Sequence, residues 1–212
     1  KKGVQLTSAG KRLLLQARRL REEWKRVRTG AVNSFTQVEG YYRIGCHTSV
    51  ALYSLDRFLP TTLCDFPNLE VELVHDLSRK VVESVVSMKV DLGIVVNPIG
   101  HPDLVVKKLC SDIVTLWTGA KKSKVNDPRS GEAVLICDPA LVQSQDILSQ
   151  FKRKGLSYKR LLTSSSLEVI RALVASNGGI GILPTRVAIK MSNRVKKVHS
   201  APTFEDEVCL VY

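Results

Sequence analysis

The residues with the richest side-chain chemistry stand in short clusters, each at the end of an apolar run. Gly45-Cys46-His47-Thr48-Ser49 sets a thiol, an imidazole and two hydroxyls in succession behind "YYRI". His75-Asp76-Leu77-Ser78 follows "LEVELV", and Asn97 follows "GIVV". Further along, Cys137-Asp138-Pro139 follows "AVLI", and Thr163-Ser164-Ser165-Ser166 follows "KRLL". Hydroxyls and free backbone N–H groups at a helix start suit a small anion. A thiol beside a protonated imidazole suits redox or metal chemistry. Each residue also has a plain structural use: a hydroxyl caps a helix, and a cysteine fills a core as a small hydrophobe.

None of these clusters reads as a catalytic machine. The chain shows no nucleophilic triad, no paired carboxylates and no HExxH spacing, and His47, His75, His101 and His199 are scattered. The expectation is a binding protein rather than an enzyme, with no metal and no cofactor. The five cysteines are odd in number and include no CxxC, which argues against a disulfide framework and for a reducing cytoplasm. "VVESVVSMKVDLGIVV" is broken by Glu83, Lys89 and Asp91, so no membrane span is expected.

Two α/β units are needed to position the clusters. "YYRIGC" (41–46), "NLEVELVHD" (68–76) and "DLGIVV" (91–96) read as strands, with Leu69, Val71, Leu73 and Val74 facing inward on the second. Between them, "TSVALYSLDRFLPTTLCDFP" has helical spacing with Thr48 or Ser49 as cap, and "RKVVESVVSMKV" reads as an amphipathic helix. This β-α-β-α-β order predicts an open parallel sheet. The pattern restarts at 104. "LVVKKLCSDIVTLWTGA" holds one or two strands, and "EAVLICDP", "YKRLLTSS" and "IGILPT" are strands. "QSQDILSQFKRKG" and "SLEVIRALVASNGG" are helices, the second capped by Ser165 or Ser166. The tail "VKKVHSAPTFEDEVCLVY" carries strand material without a helix, so it is expected to return to the first sheet. Two sheets joined by two crossovers would enclose a cleft, with the clusters at the carboxyl ends of its strands.

Ahead of these units stands a basic helix. Thr7 is its expected N-cap, and Gly10, Leu13, Ala17, Leu20, Trp24, Val27 and Ala31 follow at alternating steps of three and four. A narrow apolar seam ringed by Arg and Lys predicts pairing with a second copy, through Leu13, Ala17, Leu20, Trp24 and Val27. Charge is concentrated here too. Residues 1–30 carry ten Lys/Arg and two Glu, a net +8 out of the formal +12 for all 212 residues. Such a patch suits nucleic acid or an acidic surface.

With these stretches in order, the chain resembles the LysR-type transcriptional regulators. "GVQLTSAGKRLLLQARRL" looks like the end of that family's winged-helix domain and its linker helix. "YRIGCHTSVALYSLDRFLPTTLCDFPNLEVEL" looks like the start of its effector-binding domain, and "VDLGIV" and "ALVASNGGIGILP" match later motifs. The resemblance implies two Rossmann-like lobes, periplasmic-binding-protein-like, behind a long linker helix. The implied domains are a wing remnant at 1–7, a dimerisation helix at 8–36, lobe I at 41–113 and 190–212, and lobe II at 114–189. It also implies a small effector in the inter-lobe cleft, often a carboxylate, with Thr48, Ser49 and Ser78 where family members hold it; Cys46, His47, Asn97, Asp138 and Ser166 join them as candidates by their places at the strand ends. Asp138 departs from an anion site and favours an amine or an amino-acid-like zwitterion. Peroxide-sensing members carry a local cysteine pair in the second unit, and Cys137 has no such close partner.

The resemblance further implies self-association as a dimer or tetramer, and DNA as a partner through a winged-helix domain of which only the last strand is expected here. The expectation is a fragment without specific DNA binding of its own. A solute-binding transport protein of the same two-lobed layout is the alternative, and the basic helix argues against it.

Overall fold

The computed structural model describes residues 6–32, 38–121, 123–190 and 194–212, with the side chains of 25–32 and 152 outside the description. Most of the expected wing remnant and the end of the expected linker, 33–36, therefore lie outside the described residues, as does the side chain of Val27. No helix among the described residues is long and apolar enough to cross a membrane.

Helix α1 spans Ser8–Val32. Thr7 caps it as its hydroxyl predicts: Oγ1 accepts the Gly10 N–H at 3.1 Å, and the Thr7 carbonyl accepts from Lys11 at 2.9 Å. Leu13, Leu20 and Trp24 are largely exposed along it.

The chain divides into two compact units, Lys1–Lys107 with Cys209–Tyr212, and Lys108–Val208. It passes from one to the other within two strands, β4 (Val106–Gly119) and β9 (Phe204–Val211).

The first unit is built on three parallel strands in the order β2-β1-β3. Strand β1 (Gly40–Cys46) pairs along its whole length with β2 (Leu69–His75), from Gly40 opposite Leu69 to Cys46 opposite His75. Its other edge pairs with β3 (Leu92–Val96), with Cys46 opposite Ile94. Helix α4 (Ser78–Val86) lies so close to this sheet that a Cβ on Gly45 or Gly93 would come within 2.7 Å of Val81 Cγ1. Glycine is therefore required at both positions, late in β1 and early in β3. Val81, Val85, Val90, Val95, Cys209 and Val211 form the core.

The segment expected as one helix from 48 is broken. Helix α2 (Thr48–Ser54) runs into a 3-10 turn at Leu55–Arg57, and a separate α3 (Leu59–Asp65) follows. Pro60, in the first turn of α3, lacks the N–H that a continuous helix would use. Strand β2 also differs from expectation. Leu73 is exposed while Leu69, Val71 and Val74 are half-buried, because β2 is an edge strand.

The second unit orders its strands β4-β7-β5-β6. The parallel core is β5 (Val134–Cys137) between β6 (Arg160–Thr163) and β7 (Ile180–Pro184). Strand β4, one strand of 14 residues, runs antiparallel to β7 and carries the short β8 (Val195–Lys197). Helices α5 (Val142–Gln150), α6 (Leu167–Ala175) and the unanticipated α7 (Thr185–Ile189) complete it. Buried Asp112 holds the start of α7 to β4, accepting the Arg186 N–H at 3.2 Å, while Thr185 Oγ1 donates to the Ile113 carbonyl at 2.7 Å. Burial raises the Asp112 pKa, and the N–H groups of Arg186 and Ile113 pull it partly back.

The division differs from the expected lobes within β4, where 108–113 fall in the second unit, and at the tail. Only Cys209–Tyr212 joins the first unit, tied by reciprocal bonds between Val105 and Tyr212. Residues from 194 to 208 belong to the second, because β8 pairs with β4 and Thr115 Oγ1 donates to the Pro202 carbonyl at 2.9 Å.

Candidate functional site

The register of the first unit brings three clusters to one sheet edge. Cys46 lies opposite His75 on one side and Ile94 on the other, so the carboxyl ends of β1, β2 and β3 stand side by side. Six of the expected residues meet there: Cys46, His47, Thr48, Ser49, Ser78 and Asn97.

The cap of α2 is His47, in place of the expected Thr48 or Ser49. Its backbone is extended, and its Nδ1 accepts the Ser49 N–H at 3.2 Å. That role fixes the proton on Nε2. An imidazole reaches the donor that a hydroxyl one residue later cannot, since Thr48 already has helical backbone. Ser49 is 2% exposed, and its Oγ has no hydrogen-bond partner among the described residues. A buried hydroxyl left unpaired is costly and rare.

Cys46 is fully buried, with its Sγ 3.9 Å from His75 Nδ1. The same Nδ1 stands 3.2 Å from the Cys46 carbonyl oxygen, which can only accept, so Nδ1 carries the proton. Burial pushes the Cys46 thiol up to about 11. Ser78 is turned inward to the sheet, its Oγ accepting the Val96 N–H at 2.9 Å. Asn97 leaves β3 in the left-handed region, φ 49°, which an asparagine tolerates.

Asp138 and Ser166 belong to the second unit, where Cys137 pairs opposite Thr163. Asp138 is buried and folds back on its own turn, Oδ1 accepting the Ala140 N–H at 2.9 Å. Ser166 caps α6: its Oγ accepts the Val169 N–H at 3.3 Å and donates to Glu168 at 3.2 Å. Burial first, and then the Asp138 charge, push the Cys137 thiol to about 11. The two positions thus have local structural partners that Ser49 lacks.

No motif in the sequence marks the role of His75, which clasps the end of β1. Equal strand lengths of seven residues and a common last position would have paired it with Cys46. For Asp112 no motif marks a carboxylate that ties a strand to a helix start seventy residues on.

Known proteins share this fold. The LysR substrate binding domain family matches residues 36–212. A hydrogen peroxide-inducible genes activator of Haemophilus influenzae is 25% identical over 99% of this chain and 72% of its own length. The regulator GltR of Bacillus subtilis is 23% identical over 88% of this chain, which spans 63% of that protein. Among solved structures, a full-length OxyR variant from Pseudomonas aeruginosa superposes with a TM-score of 0.71 at 19% identity, covering all of this chain and 72% of that one. The bromide-bound regulatory domain of HypT from Salmonella typhimurium gives 0.65 at 14% identity, over 84% and 88% of the two chains. These structural likenesses establish the α/β regulatory-domain fold, and the relatives are transcriptional regulators rather than enzymes or transport proteins. The chain belongs to the family of LysR substrate binding domains.

Proposed function

We propose that this chain is the effector-sensing and self-associating region of a cytoplasmic LysR-type regulator that acts on DNA. The effector is a small carboxylate or an amino-acid-like molecule. It sits at the carboxyl ends of β1, β2 and β3, bordered by Cys46, His47, Thr48, Ser49, Ser78 and Asn97. The observation that carries this reading is the Ser49 hydroxyl, which is 2% exposed and unpartnered where three clusters converge. A ligand oxygen would satisfy it, and a carboxylate is an acceptor of the right kind. Asp138 and Ser166 occupy matching strand ends in the second unit, but their oxygens already serve local turns and caps. We therefore assign the direct contacts to the first unit.

The exposed seam on α1 supports the self-association part of this reading. Leu13, Leu20 and Trp24 remain largely exposed along α1, on a spacing that fits a second helix.

Native mass spectrometry of the purified chain, followed by denaturation and small-molecule detection, tests both points. A dimer or tetramer that releases a small acid or amino acid is the expected result. The same compound should raise the melting temperature as its concentration passes its Kd. A bare monomer that no member of either compound class stabilises would overturn the reading.

A further inference from the structure

We propose that the second unit carries a phosphate-contacting surface for the backbone of duplex DNA, formed by Lys121, Lys124, Arg194 and Lys196. The proposal rests on the reading of the chain as part of a DNA-acting regulator.

Dividing the charge by unit reveals an asymmetry hidden in the whole-chain total. Residues 38–107 carry six Lys/Arg and nine Asp/Glu, a net −3. Residues 108–208 carry 16 Lys/Arg and nine Asp/Glu, a net +7. The basicity is therefore not confined to α1.

Four of these cations gather at the paired ends of β4 and β8. Lys196 lies opposite Thr118, and the Ala120 N–H donates to the Arg194 carbonyl at 3.1 Å. Lys196 shares the face of Thr118 across the β4–β8 pair, and Arg194 lies in the turn just ahead of β8. Thr118 Oγ1 donates to the Asn126 carbonyl at 2.7 Å, which draws the 3-10 turn Lys124–Asn126 onto that face. Lys121 continues from Ala120. All four side chains are exposed, and none forms an ion pair among the described residues. Of the nearby carboxylates, Glu132 is bound by Lys159 at 2.9 Å and feels Lys124 only through space, and Asp127 Oδ1 accepts the Arg129 N–H at 3.0 Å.

The frame under these cations is tightly knotted. Ser123 and Asn126 form a reciprocal capping box, and Asn126 Nδ2 donates to the Lys121 carbonyl at 2.6 Å. Asn177 Oδ1 accepts the Lys121 N–H at 2.9 Å, and a Cβ on Gly119 would fall 2.3 Å from that oxygen. Holding several cations on one hydrogen-bonded frame costs mutual repulsion, which a polyanion relieves. Val195, between Arg194 and Lys196, is buried rather than part of the patch. Protein interfaces deplete lysine and enrich aromatics at their cores, whereas phosphate contacts need only the cations.

Fluorescence anisotropy of this chain with a labelled duplex of arbitrary sequence, between about 50 and 200 mM salt, tests the surface. The variant Arg194→Gln/Lys196→Gln should bind several-fold more weakly at the low-salt end and lower the salt slope by about two. Lys121→Gln/Lys124→Gln should do the same independently, with melting temperatures unchanged because all four side chains are exposed. Arg12→Gln/Arg18→Gln on α1 measures the helix's own share. If only that helix variant loses affinity, the surface is overturned while the regulator reading stands, since effector-induced melting reports on the latter separately. Absence of any duplex affinity in the unsubstituted chain at low salt would also overturn the surface. So would displacement of the duplex by poly-glutamate as efficiently as by unlabelled duplex at equal charge, which would point to an acidic protein instead.

Discussion

The imidazole of His47 holds the backbone N–H of Ser49, Nδ1 to N at 3.2 Å, while the hydroxyl of the same serine is buried and has no partner among the described residues. The two halves of Ser49 therefore have opposite fates. Its N–H, the donor a helix start would offer an anion, is already used by the chain. Its Oγ has no partner among the described residues. An effector bound at this edge, as proposed, would have to satisfy the hydroxyl, or displace the His47 ring to reach the N–H.

This makes Ser49→Ala informative. Removing a buried hydroxyl that has no partner relieves a desolvation cost of roughly 1–3 kcal/mol and leaves only a small void. The variant should melt at the same temperature as the parent or slightly higher. The stabilisation produced by the effector should fall sharply. Full retention of the ligand-induced melting shift would take Ser49 out of the site.

Ser166→Ala should behave the other way round. Its hydroxyl accepts the Val169 N–H and caps α6, so its loss should cost about 1 kcal/mol of stability. Chemical denaturation would read this as a lower midpoint at constant slope. Effector-induced stabilisation should remain. A variant of parental stability that no longer responds to the effector would reverse the roles given to Ser49 and Ser166.

The contrast between these two serines marks how far a sequence can be read. Both follow an apolar strand and precede an apolar helix, so both read equally well as a cap or as a ligand contact. What separates them is the partner of one oxygen atom, which depends on packing. The strands were legible because runs such as "LGIVV" and "IGILP" are too apolar to lie anywhere but inside a sheet. The break in the segment after Thr48 was legible in principle from Pro60. The return of 194–208 to the second unit was not. It depends on β8 pairing with β4 and on the Thr115–Pro202 hydrogen bond, both of which join residues about eighty positions apart. The position of the cap on α2 also escaped, because an imidazole can do the work usually given to a hydroxyl.

On α1 the apolar seam offers a direct test. Leu13 and Leu20 are 72% and 73% exposed and Trp24 is 67% exposed, more than a helix lying on its own fold would leave open. Leu20→Glu places a charge at the centre of that seam. The variant should show a reduced mass by light scattering relative to the unsubstituted chain, with the melting of the two α/β units unaltered. An unchanged mass would mean that the units, not the helix, hold the copies together.

The cysteines bear on whether the chain shares the chemistry named for its peroxide-responsive relatives. The Cys46 and Cys137 thiols are buried, and burial lifts both from 9.0 to about 11. Only the thiolate is a strong nucleophile, so at neutral pH neither should react quickly with peroxide or iodoacetamide. Exposed Cys64 should be modified first. The raised pKa also sets the direction of a stability change. A thiol that ionises less readily when folded favours the native state while it stays protonated. That contribution is complete below about pH 9 and is lost as the pH rises through about 11. Mass-spectrometric mapping after brief alkylation at pH 7.5 checks the order of reaction. Modification of Cys46 or Cys137 ahead of Cys64 would mean that the folded chain opens at these strand ends, and a thiol-based response would then become the better account of the site.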